Sequence, residues 1–267
     1  MAIVEVTKPR PHVSLITLNH PARVNALSFD LVEGLYDALA EVKKDNDSWV
    51  VVLTGSGKGF CSGLDLTDVG LPPDIEGLPM SRIAIRAMHY MADLVPTMRN
   101  IPQPIIAAIH GAAWGGGFCL ALGADIRIAA RSARFCGAGI VNGLTGTELG
   151  ISYLLPRLVG ASRANEIILT GREVGGEEAE RIGLVSRVVD DDAVLAAAYE
   201  TADGICEWSP HGVAMTKRLL WSSWETGSLQ AAIDHENRNQ LLVRLTTNNL
   251  DEFLKARKEG RKPKYED

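Results

Sequence analysis

Residues Pro104 to Ala130 read PIIAAIHGAAWGGGFCLALGADIRIAA, and the order of apolar runs and glycines in this stretch decides the fold. Ile105 to Ile109 form a continuous apolar run, which predicts a buried strand. A turn at His110-Gly111 and three glycines, Gly115, Gly116 and Gly117, come next. The small-residue segment Phe118 to Ala124 predicts a helix, and Ile126 to Ala130 a second strand. Without Cβ atoms a chain can approach a ligand closely, and N–H groups at a helix start carry partial positive charge. Such groups hold an anion, or a carbonyl oxygen that becomes one. Tight helix-on-strand packing uses the same glycines, so on this stretch alone both readings stand.

Working outward, Ile3 to Val6 and Val13 to Leu18 flank the breaker Lys8-Pro9-Arg10-Pro11 and predict a hairpin. The segment HPARVNALS ends at Ser28, a candidate N-cap, after which Leu31, Val32, Leu35, Leu39 and Val42 share one helical face to about Lys44. Trp49 to Thr54 is a β-branched strand that stops abruptly in GSGKGFCSGLDL. A loop rich in Gly and Pro, Thr67 to Pro79, precedes a long helix expected from Ser81 to about Arg99. Strands and helices mix up to Val189, and only helical patterns follow. The expected division is therefore a mixed core over residues 1–190 and a helical region over 191–267.

The 267 residues are 46% hydrophobic and 22% charged, enough for a substantial core. A net charge of −6 argues against a general nucleic-acid or anionic-membrane binder. Cys61, Cys119, Cys136 and Cys206 lie far apart with no CxxC pairing, which suggests reduced thiols. With no signal-peptide pattern at the start and no apolar run of membrane-spanning length, a cytoplasmic protein is expected.

Several motifs can be tested and set aside. The Gly55 to Leu66 loop is not a P-loop, because Lys58 is followed by Gly59 and Val52 stands where the first glycine belongs. No serine occupies G-x-S-x-G. His235-Glu236 would open a zinc HExxH, but Asn239 replaces the second histidine, and the six histidines show no metal spacing.

Taken together, FCSGLDL after one strand and IIAAIHGAAWGGGFCLALGADIRIA around the next closely resemble the crotonase (enoyl-CoA hydratase/isomerase) family. HPARVNALS, YLLPRLVG at Tyr153 to Gly160 and LTGREVGGEEAERIGLVSRVV at Leu169 to Val189 extend the resemblance over nearly the whole chain. It implies an α/β fold, a core of stacked ββα turns with a C-terminal helical oligomerisation region that packs subunits into trimers or hexamers. It also implies an acyl-CoA thioester substrate, with coenzyme A as part of the substrate, no separate cofactor and no metal.

By motif position, the resemblance implies a backbone oxyanion hole made by Ser62 of FCSG and Gly116 of GGG. One such donor is typically worth roughly 2.7–4 kcal/mol of barrier. Ala22, Arg23, Val24 and Ala26 match the segment lining the CoA site, and Ser62, Gly63, Leu64 and Asp65 the segment that contacts pantetheine and adenine. The basic run Lys255 to Lys264 is either a contact to a neighbour's CoA phosphates or a solvated helix end.

Hydratases of the family use two glutamates, and here those positions fall at Cys119 and Gly139. Glu148, eight residues before Pro156, stands where isomerases of the family tend to carry a catalytic aspartate. The expectation is enolate chemistry with a single carboxylate, which suits isomerisation better than hydration. Decarboxylation, hydrolysis and simple CoA-thioester binding are the alternatives. An acidic residue in the first turn of a helix also suits the helix dipole, which is the structural reading of Glu148. Asp125, beside the glycine turn, is expected to cap or pair structurally.

Overall fold

The computed structural model describes residues 2–265. A hairpin comes first: β1 (Val4–Arg10) pairs antiparallel with β2 (Val13–Leu18). Pro9 stays within β1 because β1 is the edge of its sheet, where a missing N–H leaves no partner unmet. Ser28 caps α1 (Phe29–Lys44) by accepting from the Leu31 N–H, as its position predicts.

After β3 (Val50–Gly55) the chain winds in repeated turns, each with one strand in a large sheet, one in a small sheet, and a helix. The large sheet runs β1-β2-β3-β4-β6-β9. In it β3, β4 (Ile105–Ile109), β6 (Ile126–Ala130) and β9 (Arg187–Val189) are parallel neighbours. Its companion contains β5 (Ala112–Trp114), β7 (Arg134–Cys136) and β8 (Val174–Gly175). Cys61 continues the small sheet as a single parallel bridge to Ala113. The loops after β3 and β4 therefore lie side by side. The sequence pattern missed β5, which is only three residues long.

The expected helix from Ser81 to Arg99 is two helices, α2 (Met80–Ala92) and α3 (Leu94–Asn100). Pro96 accounts for the break, since it cannot donate to the Ala92 carbonyl and its ring crowds that carbonyl. All eight residues of α4 (Gly116–Gly123) are buried, so this small-residue helix passes through the core. Beyond β7 come α5 (Ile151–Val159), α6 (Ala161–Thr170) and α7 (Gly176–Arg181).

The two faces of the large sheet are covered by different partners. Val51, Leu53, Ile105, Ala107 and Ile109 face the main core with α1, α3 and α4, while Val50, Val52, Ile106 and Ala108 face the other way. That second face is closed by Val194, Ala197, Ala198 and Ala202 of α8 (Val194–Cys206). Residue 191 thus marks where strands end, while packing of the sheet continues through α8. α9 (Pro210–Ser223) is tied down by Lys217, whereas α10 (Leu229–Thr246) buries no residue and α11 (Asn249–Glu259) buries Ala256 alone. Among the described residues, no helix is long and apolar enough to cross a membrane.

Candidate active site

The site is built from backbone first. Val24 and Asn25 adopt left-handed conformations, with φ of +50° and +55°. This turn buries the Asn25 side chain, whose Nδ2 donates to the carbonyls of Ser56, Gly59 and Phe60 at 2.9, 2.9 and 3.1 Å. Its Oδ1 accepts from the His20 N–H at 2.8 Å, so one amide staples two loops. Along the second loop, the Phe60 N–H donates to His110 O, Cys61 N–H to Ala112 O and Asp65 N–H to Leu27 O. Close approach explains the glycines. A Cβ on Gly63, whose φ is +88°, would lie 2.7 Å from Trp114 O, and one on Gly117 2.2 Å from Cys61 O.

Hydrogen-bond accounting corrects the motif reading at one position. The Ser62 N–H, expected in the oxyanion hole, donates to Val24 O at 2.9 Å and is occupied. Its hydroxyl donates to Arg23 O at 3.1 Å. On the same loop the Leu64 N–H has no acceptor among the described residues. Gly63 O and Asp65 N–H both bond to Leu27, which turns the Leu64 N–H to the opposite side of the strand, the side of the glycine turn. The Gly116 N–H, at the first position of α4, likewise has no acceptor among the described residues, as helix starts dictate. Gly63 packs directly on this group: a Cβ there would be 3.3 Å from Gly116 N. Sequence reasoning could not find this two-residue offset, because it depends on where the left-handed Val24 carbonyl points.

A cleft of about 540 Å³ opens over these amides. Arg23, Ala26, Ser62, Gly63, Leu64, Asp65 and Glu148 all line it, so the structure gathers most of the expected site residues. Ala22 and Val24 do not line it: Ala22 is exposed outside, and Val24 contributes its carbonyl to Ser62. Gly116 sits directly behind the lining residue Gly115.

Glu148 stands on the far wall, in the turn before α5 rather than within that helix. Its Oε1 lies 3.2 Å from where a Cβ on Gly115 would be. Burial pushes its carboxyl above the ordinary value, and no described residue donates a hydrogen bond to that carboxylate. Cys119 is wholly buried, and burial first, then the charge of Glu148, push its thiol well up, so it is neutral. At Gly139 a Cβ would sit 2.2 Å from Thr145 O, so the turn has no room for a side chain there. Neither position supplies a carboxylate.

The entrance carries a second ionisable pair. Asp65 is buried, which pushes its carboxyl up, but the Asp68 and Thr67 amides, the Thr67 hydroxyl and the Arg23 guanidinium outweigh burial and hold it down at about 2. Arg23 keeps 38% of its side chain exposed beside this pair. Away from the cleft, Asp125 accepts from Ile105 N–H at 2.7 Å and Trp221 Nε1 at 2.6 Å and pairs with buried Lys217 at 3.0 Å, a structural role. Among the described residues, no group of three His, Cys, Asp or Glu could hold a metal ion.

Known proteins are similar to this chain in sequence and fold. The probable enoyl-CoA hydratase EchA12 of Mycobacterium tuberculosis H37Rv is 50% identical over 267 residues, covering 100% of this chain and 94% of that protein. A crystal structure of a probable enoyl-CoA hydratase/isomerase from Mycobacterium abscessus superposes with a TM-score of 0.93 at 48% identity, covering 98% of both chains. A monofunctional enoyl-CoA isomerase from M. smegmatis matches with a TM-score of 0.75 at 44% identity, over 87% of this chain and 99% of that one. The family model described as enoyl-CoA hydratase/isomerase matches residues 10–267. Paired glycine loops, stacked turns and full-length similarity lead to one conclusion: the chain belongs to the enoyl-CoA hydratase/isomerase, or crotonase, family.

Proposed function

We propose that the protein isomerises the double bond of an enoyl-CoA thioester, with Glu148 as its single base. The thioester carbonyl oxygen would lie between the Leu64 and Gly116 N–H groups, with the dipole of α4 adding to their field. The Glu148 carboxylate takes a proton from C2 of a 3-enoyl thioester, electrons move into a dienolate held by the two amides, and the same carboxyl returns the proton at C4. No water is consumed. One observation carries this reading: a half-buried carboxylate without a counter-ion faces the glycine turn, while Cys119 and Gly139 offer no second carboxylate. The Arg23–Asp65 pair at the entrance suits the polar CoA end, and the exposed apolar residues Leu66, Val141 and Leu144 suit the acyl end.

Incubation with a 2-enoyl-CoA and its 3-enoyl isomer in D₂O, read by mass spectrometry, tests the proposal. Deuterium at carbon without net water addition, lost in Glu148→Gln, is the expected result. Addition of a whole water would overturn it in favour of hydration.

The same reading extends to assembly. Leu229, Leu241, Leu245 and Leu250 expose large apolar side chains on α10 and α11, which suits burial against further copies in a homotrimer or hexamer. Light scattering on the purified protein reads this directly. Four free cysteines suit a reducing cytoplasm.

A further inference from the structure

Glu148 needs something to hold it, because the turn that carries it is strained. Leu149, the next residue, has a φ of +43°, a left-handed conformation that a non-glycine residue adopts at a cost. Two donors converge on the Glu148 carbonyl oxygen. One is local: the Ile151 N–H at 2.9 Å. The other comes from the core: the Cys119 thiol donates to the same oxygen at 3.4 Å. The Leu149 side chain reaches back towards Gly116, within 4.0 Å of where a Cβ there would be.

We propose that Cys119 is a positioning residue, whose buried thiol fixes the Glu148–Leu149 turn and thereby aims the Glu148 carboxylate at the glycine turn. Cys119 and Gly116 sit three residues apart on α4, hence on neighbouring positions of one helix face. A single rigid, fully buried helix therefore carries both the amide that would hold the substrate oxygen and the group that anchors the base. The distance between oxyanion and base is set by that helix and is insulated from the largely exposed 140–147 loop. The position where hydratases of the family carry a glutamate has become a clamp for a carboxylate elsewhere. This inference rests on Glu148 being the base, and its test separates the two.

The ionisable groups around Glu148 are few. Cys61 and Cys119 are thiols pushed up by burial, Cys61 to about 12; the Arg23–Asp65 pair and Glu173 line more of the cleft. Cys119→Ala removes the donor, Cys119→Ser keeps one, and Glu148→Gln reports on the base itself. Carbon-13 NMR titration of the Glu148 carboxyl reads its environment without turnover. In Cys119→Ala the carboxyl should gain access to water and titrate closer to an ordinary glutamate, while Cys119→Ser should stay near the parent. In turnover, misplacement of the base should lower kcat about 10-fold in Cys119→Ala with KM little changed, and Cys119→Ser should recover most of it. A Glu148 titration unchanged in Cys119→Ala, or equally displaced in both variants, overturns the proposal. Full activity of Glu148→Gln would instead overturn the isomerase reading, and the NMR result would still decide whether Cys119 positions the carboxyl.

Discussion

The glycine wall of the cleft and the segment that leads away from it at Leu66 are built on opposite principles. Residues 59–65 and 110–117 are cross-linked by backbone hydrogen bonds from Phe60, Cys61 and Trp114, and several of their glycines cannot take a Cβ. The segment from Leu66 to Ala92 is loosely attached: α2 buries only Met91, and Leu71, Met80, Ile85 and Met88 are 70, 78, 59 and 66% exposed. A hollow of about 620 Å³ separates α2 from the 73–78 loop. Charge that develops on an oxygen must be met at a fixed place, because hydrogen bonds weaken steeply with misalignment. Apolar contact has no such directional demand. The rigid half therefore suits a demand for fixed geometry, and the loose half is free of it.

The largest expected effect breaks the rigid half at its base. Glu148→Gln should lower kcat by about 10²–10⁴, the usual contribution of a positioned proton-transfer group, measured as deuterium incorporation. Because burial raises the Glu148 pKa, activity should rise with pH through an acid limb above the ordinary glutamate range. The folded state holds this proton more tightly than the unfolded chain. Its ionisation therefore lowers stability as pH rises from the unfolded to the folded pKa. Glu148→Gln should accordingly raise Tm above that range while turnover falls.

Next in size is Gly117→Ala, whose Cβ would meet Cys61 O at 2.2 Å and Cys61 Cβ at 2.7 Å. Separating the two loops should cost about 1–3 kcal/mol of stability by denaturant titration and about 100-fold in kcat/KM. The loose half should respond differently. Ile85→Ala and Met88→Ala should leave stability within about 0.5 kcal/mol. They should leave kcat on the best substrate little altered, because neither residue lines the cleft. A large kcat loss there would erase the contrast between the halves. The smallest effect belongs to Ser62→Ala, which loses only the hydroxyl donated to Arg23 O. About 1 kcal/mol of stability and little activity are expected to go, since its N–H is occupied by Val24 whatever the side chain.

Local signals in the chain were legible where local physics decides. Ser28 announces α1, and the unbroken apolar runs at Val50 to Leu53 and Ile105 to Ile109 match strands buried on both faces of the sheet. The glycine motifs located the cleft, and the spacing to Pro156 picked out Glu148, which lines it. Non-local geometry was not legible. The choice between the Ser62 and Leu64 amides depends on a left-handed Val24, and the Arg23–Asp65 pair joins loops that only the folded chain brings together. Asn25 looked like one polar residue in a loop, yet its four hydrogen bonds hold both strands of the entrance. The break between α2 and α3 was available from Pro96, but the hydrophobic pattern runs through it.

The placement of α8 bears on how the chain can be made. A ribosome completes β3, β4 and β6 well before it reaches Val194 to Ala202, so Val52, Ile106, Ala108 and Ile128 have no cover during that interval. Parallel strands with one naked apolar face are templates for self-association, and closure waits for the late helix. Any shortened version that stops ahead of α8 would keep its glycine turn on paper and precipitate in the tube.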